Sequence, residues 1–194
     1  LMLSRSETIA MVKRGARGAG YSWGMAEEIA QACATLCAHG INAQPVLAQY
    51  LQAVDGHVDA LAMQSWPLNQ ERVCPFHLGC FIAESGFSDD HHQFNGVQSP
   101  VFLLPYVQRM ATVQGRNLHI SGAGMAVDVG ADYIAGDISM DAQGQVMITA
   151  DEYTLTPPST SPCYPAQYCD VMDRLGQKTM VPDSDESRAN GAGD

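Results

Sequence analysis

Apolar residues recur at three- and four-residue steps through the first third of the chain. Ala26, Ile29, Ala30, Cys33, Leu36 and Cys37 share one face of a helix that begins at Ser22 and ends at Gly40. Ahead of it, "SRSE" has the spacing of a capping box at Ser4, with Glu7 placed to reach back, and predicts a first helix to about Arg17. A third helix is expected after Asn42 as its cap, with Pro45 in its first turn and Leu47, Leu51 and Val54 inward, ending near Asp55 and Gly56. Three short helices would thus form an N-terminal layer.

The middle of the chain is less regular. "VCPFHLGCFIAES" reads as one short helix from Pro75 to Glu84, with a polar loop behind it that includes His91 and His92. "SPVFLLPYVQRMATVQG" is ambiguous between helix and buried strand, and its length and Ser-Pro start favour helix despite Pro105. Beyond Gly115 the period changes to two. "NLHIS", "MAVDV" and "QVMIT" alternate apolar and polar around glycine turns, so residues 117–150 read as a small antiparallel meander. After the proline-rich "TPPSTSPCYP", helical spacing returns in "AQYCDVMDRLG". The expected architecture is α+β: an N-terminal helical layer on a small, mostly antiparallel sheet, then a C-terminal helix. Residues 1–182 would form one globular domain and 183–194 an acidic, glycine-containing tail.

Composition narrows the function classes. The 194 residues are 46% hydrophobic and 16% charged, enough to bury a sizeable core without a metal or disulfides. A net charge of −11 repels phosphate backbones and anionic lipid, which argues against nucleic-acid and membrane partners. Arg5, Lys13, Arg14 and Arg17 make the first helix locally basic, a contrast that suits a small anion or a solvated helix face. The chain has no apolar run of the ~20 residues a membrane helix needs, and its start lacks a secretory apolar block, so a cytosolic protein with six free thiols is expected.

The glycine-rich "RGARGAGYSWG" poses the sharpest question. A dinucleotide loop needs its glycines directly after a strand, but Gly15, Gly18 and Gly20 follow a helix. Gly18 and Gly20 read better as the end of the first helix and a corner that lets the second fold back closely, with Trp23 wedged between the two. A weaker anion site survives in the free amides near Ser22 beside Arg17. "CPFHLGC" sets Cys74, His77 and Cys80 at three-residue steps on one helix face. A structural zinc site would need a fourth ligand, and buried thiols beside a half-buried imidazole are the ordinary alternative, so no metal and no cofactor are expected. Cys74 at a helix start, with His77 one turn on as base, is also the pattern of an activated nucleophile. Cys33 and Cys37 read as packing. Asp89, Asp90, His91 and His92 read as a solvated loop, and no GxSxG, HExxH or P-loop is present.

"ARGAGYSWGMAEEIAQA" resembles the opening of a bacterial family of unknown function that carries an ARGAG-x-x-WG-x-AEE signature. The closing "KTMVPDSDESRANGAGD" is similar to that family's Val-Pro, Ser-Arg and glycine-rich ending, and the Cys-Pro region looks like its middle. The resemblance brings no activity, substrate or cofactor. It directs attention to Arg17, Gly18, Gly20, Trp23, Gly24, Glu27, Glu28 and Cys74, and to Ser187, Arg188 and Gly191 in the tail. A polar tail with its own motif implies that it folds back, or crosses to a second subunit, near the Arg17–Glu28 corner. Two functions follow as expectations: a non-catalytic small-molecule-binding or accessory module acting as a homodimer, or a small enzyme working on a small anionic substrate through Cys74 or carboxylates near that corner.

Overall fold

A computed structural model describes residues 2–61, 71–85, 91–151, 160–166 and 168–180. The fold is α+β, with α-helices accompanying a five-stranded antiparallel sheet among the described residues. Helix α1 (Arg5–Gly18) begins at a complete capping box, Ser4 and Glu7 each accepting the other's backbone N–H. Helix α2 (Trp23–Ala38) is capped by the Ser22 hydroxyl on the Met25 amide. Helix α3 (Gln44–Val54) departs from expectation at its start. Its cap is Ala43, which makes no side-chain bond, because Pro45 at the second helical position sets the entry and Asn42 falls one residue too early.

A 3₁₀ turn (Val58–Leu61) follows, then α4 (Pro75–Ser85). The ambiguous stretch after Ser99 resolves into a 3₁₀ turn (Pro100–Leu103) leading into α5 (Leu104–Gln114). Pro105 falls in the first turn of α5, where its missing N–H has no intrahelical partner to lose, so it starts the helix instead of breaking it. The last described helix is α6 (Cys169–Gln177).

The sheet is larger and differently ordered than a meander. Strands β1 (His91–Gln98), β2 (Asn117–Gly122), β3 (Met125–Val129), β4 (Ile134–Asp137) and β5 (Gln143–Asp151) lie in the order β1-β5-β2-β3-β4. The polar loop read around His91 and His92 is in fact the start of an edge strand. Pairing with β5, His91 opposite Thr149, satisfies a backbone whose side chains alone gave little strand signal. After β4 the chain returns across the sheet, so β5 pairs with β2 and β1 and not with β4. Leu118, Ile120, Val127, Val129, Val146 and Ile148 face the helices, and the core continues through α2, α4 and α5.

Candidate functional site

The α1–α2 corner is built by its glycines, but through packing. Gly15 and Gly18 face α6. A Cβ at Gly18 would overlap the Leu175 carbonyl and lie 3.0 Å from the Gly176 amide, while one at Gly15 would lie 2.7 Å from Met172 Sδ. Gly176 returns the fit, with Arg14 Cβ 3.2 Å from where its own Cβ would stand. Two helix backbones approach this closely only where side chains are absent, so Gly18 is occupied by α6. Gly20, at φ 116°, then turns the chain. Gly24 opens α2 with nothing within 4 Å of its Cβ position.

This turn delivers Tyr21, not Trp23, into the core. Trp23 is the first residue of α2 and is 55% exposed, its ring beneath the Arg17 guanidinium at 5.5 Å. The expected wedge is therefore corrected: Ser22 must point its hydroxyl at the α2 amides, which sends Tyr21 inward and Trp23 outward. Tyr21 is held by its amide on the Ala16 carbonyl (3.2 Å) and by Arg17 Nη1 donating to its own carbonyl (2.9 Å).

Tyr21 ends on Cys74. Its hydroxyl lies 3.4 Å from Cys74 Sγ and 2.9 Å from the Tyr50 hydroxyl, all three residues being buried. Cys74 stands at the head of α4, its carbonyl accepting from the Leu78 amide. It is pinned there by its neighbour Val73, whose amide donates to the Gly96 carbonyl and whose carbonyl accepts from the Gln98 amide, at the irregularity where β1 shifts register between Phe94 and Val97. Phe76 and Phe102 complete an aromatic wall, with ring centroids 5.0 Å apart and Tyr50 5.5 Å from Phe76. His77, one turn into α4 and partly exposed, tilts over Tyr21 at 5.9 Å.

The electrostatics of this group are unusual for a core. Burial pushes the Cys74 thiol up, but the nearby His77, with the hydroxyls of Tyr21 and Tyr50, outweighs it and holds the thiol below its ordinary value. His77 moves in the opposite sense: the neighbouring Cys74 raises it above the ordinary imidazole value against the effect of burial, with a further contribution from Asp59, although its Nδ1 is buried without a hydrogen-bond partner among the described residues. Tyr21 and Tyr50 are both pushed up by burial and then by the Cys74 charge, so they stay protonated and available to donate. A thiol at a helix start with an imidazole three residues on is the pair of residue types that a cysteine nucleophile uses.

Cys80 belongs to a different group. Burial, then the charge of Glu28, pushes its thiol up to about 11, and the Tyr106 hydroxyl partly opposes this. Cys74, His77 and Cys80 therefore do not converge, and no three His, Cys, Asp or Glu side chains among the described residues are placed to hold a metal ion. The carboxylates of the corner are paired within the chain: Glu27 with Lys13 at 3.1 Å and Glu28 with Arg109 at 2.8 Å. Cys33 and Cys37 are buried on α2. Asp89, Asp90, Ser187, Arg188 and Gly191 lie outside the described residues, as does the rest of the tail from 181.

Sequence reasoning had singled out Arg17 and Cys74 separately, and it missed the residue that joins them. Tyr21 stands inside the quoted motif, and Tyr50 lies on the inward face of α3 beside Leu47 and Leu51. A tyrosine at a core position was the available signal, because its hydroxyl demands a buried partner.

The chain is thus an α+β protein with a thiol, an imidazole and two phenols gathered where the helical layer meets the sheet edge. Residues 3–71 match a family described as "Protein of unknown function (DUF3726)". The match spans α1 to α3, includes Tyr21 and Tyr50, and stops short of Cys74, so it is narrower than the resemblance read along the sequence. No curated protein matches the chain. Among the described residues, no helix is long and apolar enough to cross a membrane.

Proposed function

We propose that the chain is a small enzyme that acts on a small anionic substrate through Cys74. One observation carries this reading: Cys74 Sγ at the head of α4 lies 3.4 Å from the Tyr21 hydroxyl, with the Tyr50 hydroxyl behind it and the His77 ring over Tyr21, and the lowered thiol and raised imidazole agree in direction with it. In this role His77 takes the proton from Sγ, the thiolate attacks an electrophilic carbon of the substrate, and His77 returns the proton to the leaving group. Tyr21 positions the sulfur by donating to it, and Tyr50 holds the Tyr21 hydroxyl in turn. The corner carboxylates take no part, because Glu27 and Glu28 are engaged by Lys13 and Arg109. Cys74 has no exposed surface, so the reading requires a ligand to reach it past Tyr50, which also lines a surface cleft.

The second reading is a non-catalytic small-molecule-binding or accessory module, acting as a homodimer in the bacterial cytosol. The Arg17 and Trp23 pair favours it, because an exposed indole under a guanidinium is a ready contact for a partner surface or a small anion. Alkylation with iodoacetamide, mapped by peptide mass across pH, separates the two. The enzyme reading expects Cys74 to react at lower pH and faster than the other five cysteines, and to lose that lead in His77→Gln. Six cysteines with ordinary profiles would sink it and leave the binding module.

A further inference from the structure

A cleft of about 260 Å³ opens between α3, the β1 end at Gln98 and Ser99, and the β4–β5 connection at Met140 and Asp141. Tyr50 forms part of its lining, so the wall of the cleft and the buried Cys74 group share one side chain. Val46, Val54 and Met140 supply an apolar side. The polar side carries Gln49, Gln98 and Ser99 and two opposite charges: Arg72 and Asp141 both line the cleft, both are exposed, and neither makes an ion pair or a side-chain hydrogen bond among the described residues. Arg72 also borders the adjoining cleft, which Glu71 lines. Ser99, on the same wall, holds φ 43° and ψ 61°, a left-handed conformation that non-glycine residues adopt only where their surroundings impose it.

Two unpaired opposite charges and an apolar face in a space of this size are complementary to one chemical class. We propose that the cleft binds an amino-acid-sized zwitterion with an apolar side chain: its carboxylate on Arg72, its ammonium on Asp141, and its side chain against Val46, Val54 and Met140. A purely anionic ligand would leave Asp141 opposed, and a purely cationic one would leave Arg72 opposed; a zwitterion satisfies both. This ligand is separate from the small anion proposed for Cys74, and its binding does not rest on that reading.

The test is titration calorimetry of the full chain with L-leucine, 4-methylpentanoate and 3-methylbutylamine as probes, on the native protein and on Arg72→Gln, Asp141→Asn and Arg14→Gln. The expected result is one leucine per chain, at least tenfold weaker binding of either single-charge analogue, a similar loss in Arg72→Gln and Asp141→Asn, and none in Arg14→Gln, which lies outside the cleft. Absence of leucine binding at millimolar concentration, or unchanged binding in both charge variants, overturns the proposal. Equal affinity for leucine and 4-methylpentanoate overturns the zwitterion assignment. Because the readout is binding and not turnover, an empty cleft leaves the alkylation profile of Cys74 standing, and an unreactive Cys74 leaves the leucine isotherm standing.

Discussion

Replacing Gly18 by alanine tests whether the glycine motif serves helix packing or a ligand. A Cβ at this position stands at about half the ordinary ~3.5 Å contact distance from the Leu175 carbonyl oxygen, and 3.0 Å from the Gly176 amide. Both obstacles are backbone, so no rotamer change relieves them, and α6 must move away by roughly 1.5–2 Å. That movement loosens Met172 and Leu175, which are only 1% and 5% exposed. Overpacking of this kind costs about 1–3 kcal/mol, and a rigid obstacle places the cost at the upper end. Alanine recovers up to about 1 kcal/mol of helix propensity, which leaves a net loss of about 2 kcal/mol. Gly24→Ala is the matched control: it has the same propensity gain and no neighbour within 4 Å, so it should leave stability unchanged or raise it by up to about 1 kcal/mol. In urea, with a slope near ~2 kcal/mol/M, the Gly18→Ala midpoint should fall by about 1 M while that of Gly24→Ala does not fall. A Gly18→Ala protein as stable as the native chain would refute the packing argument. If that protein also lost affinity for small anions, the glycine would belong to a ligand site.

Two further outcomes follow from other parts of the structure. Glu7 lies below its ordinary carboxylate value because the Ser4 amide, and then the Ser4 hydroxyl, donate to it, so its stabilising contribution is present above pH 4.5 and lost as pH falls through its lowered folded value. The stability gap between native protein and Glu7→Gln should therefore close on acidification in urea titrations from pH 7 to pH 3, and a gap independent of pH would contradict the capping box. Tyr50→Phe removes a hydroxyl that helps hold the Cys74 thiol down, so the alkylation profile of Cys74 should move to higher pH while that of Cys80 stays near 11; parallel movement of both would show that the substitution acts through general loosening.

Local signals in the sequence determined the helices. Ser4 with Glu7, Ser22 before an apolar stripe, and the shift from three-and-four to two-residue spacing after Gly115 each act within a turn or a strand, where capping and amphipathic burial are decided by near neighbours. Asn42 misled because serviceable cap residues are more frequent than caps, and Pro45 chose the start of α3. His91 and His92 were not legible as a strand because β1 has little alternation of its own; β5, some fifty residues later, supplies the hydrogen bonds that define it. The candidate site was legible only in pieces. Arg17 and Cys74 could be noticed singly, but nothing local says that the Gly20 turn places Tyr21 on Cys74, or that Val73 docks at the β1 irregularity to hold it there. Whether Gly18 meets a ligand or the backbone of α6 depends likewise on a helix more than 150 residues away in the chain. Capping and periodicity are properties of a few consecutive residues, whereas the environment that lowers the Cys74 thiol is assembled from Tyr21, Tyr50 and His77 on three different helices or turns, and exists only once they are packed together.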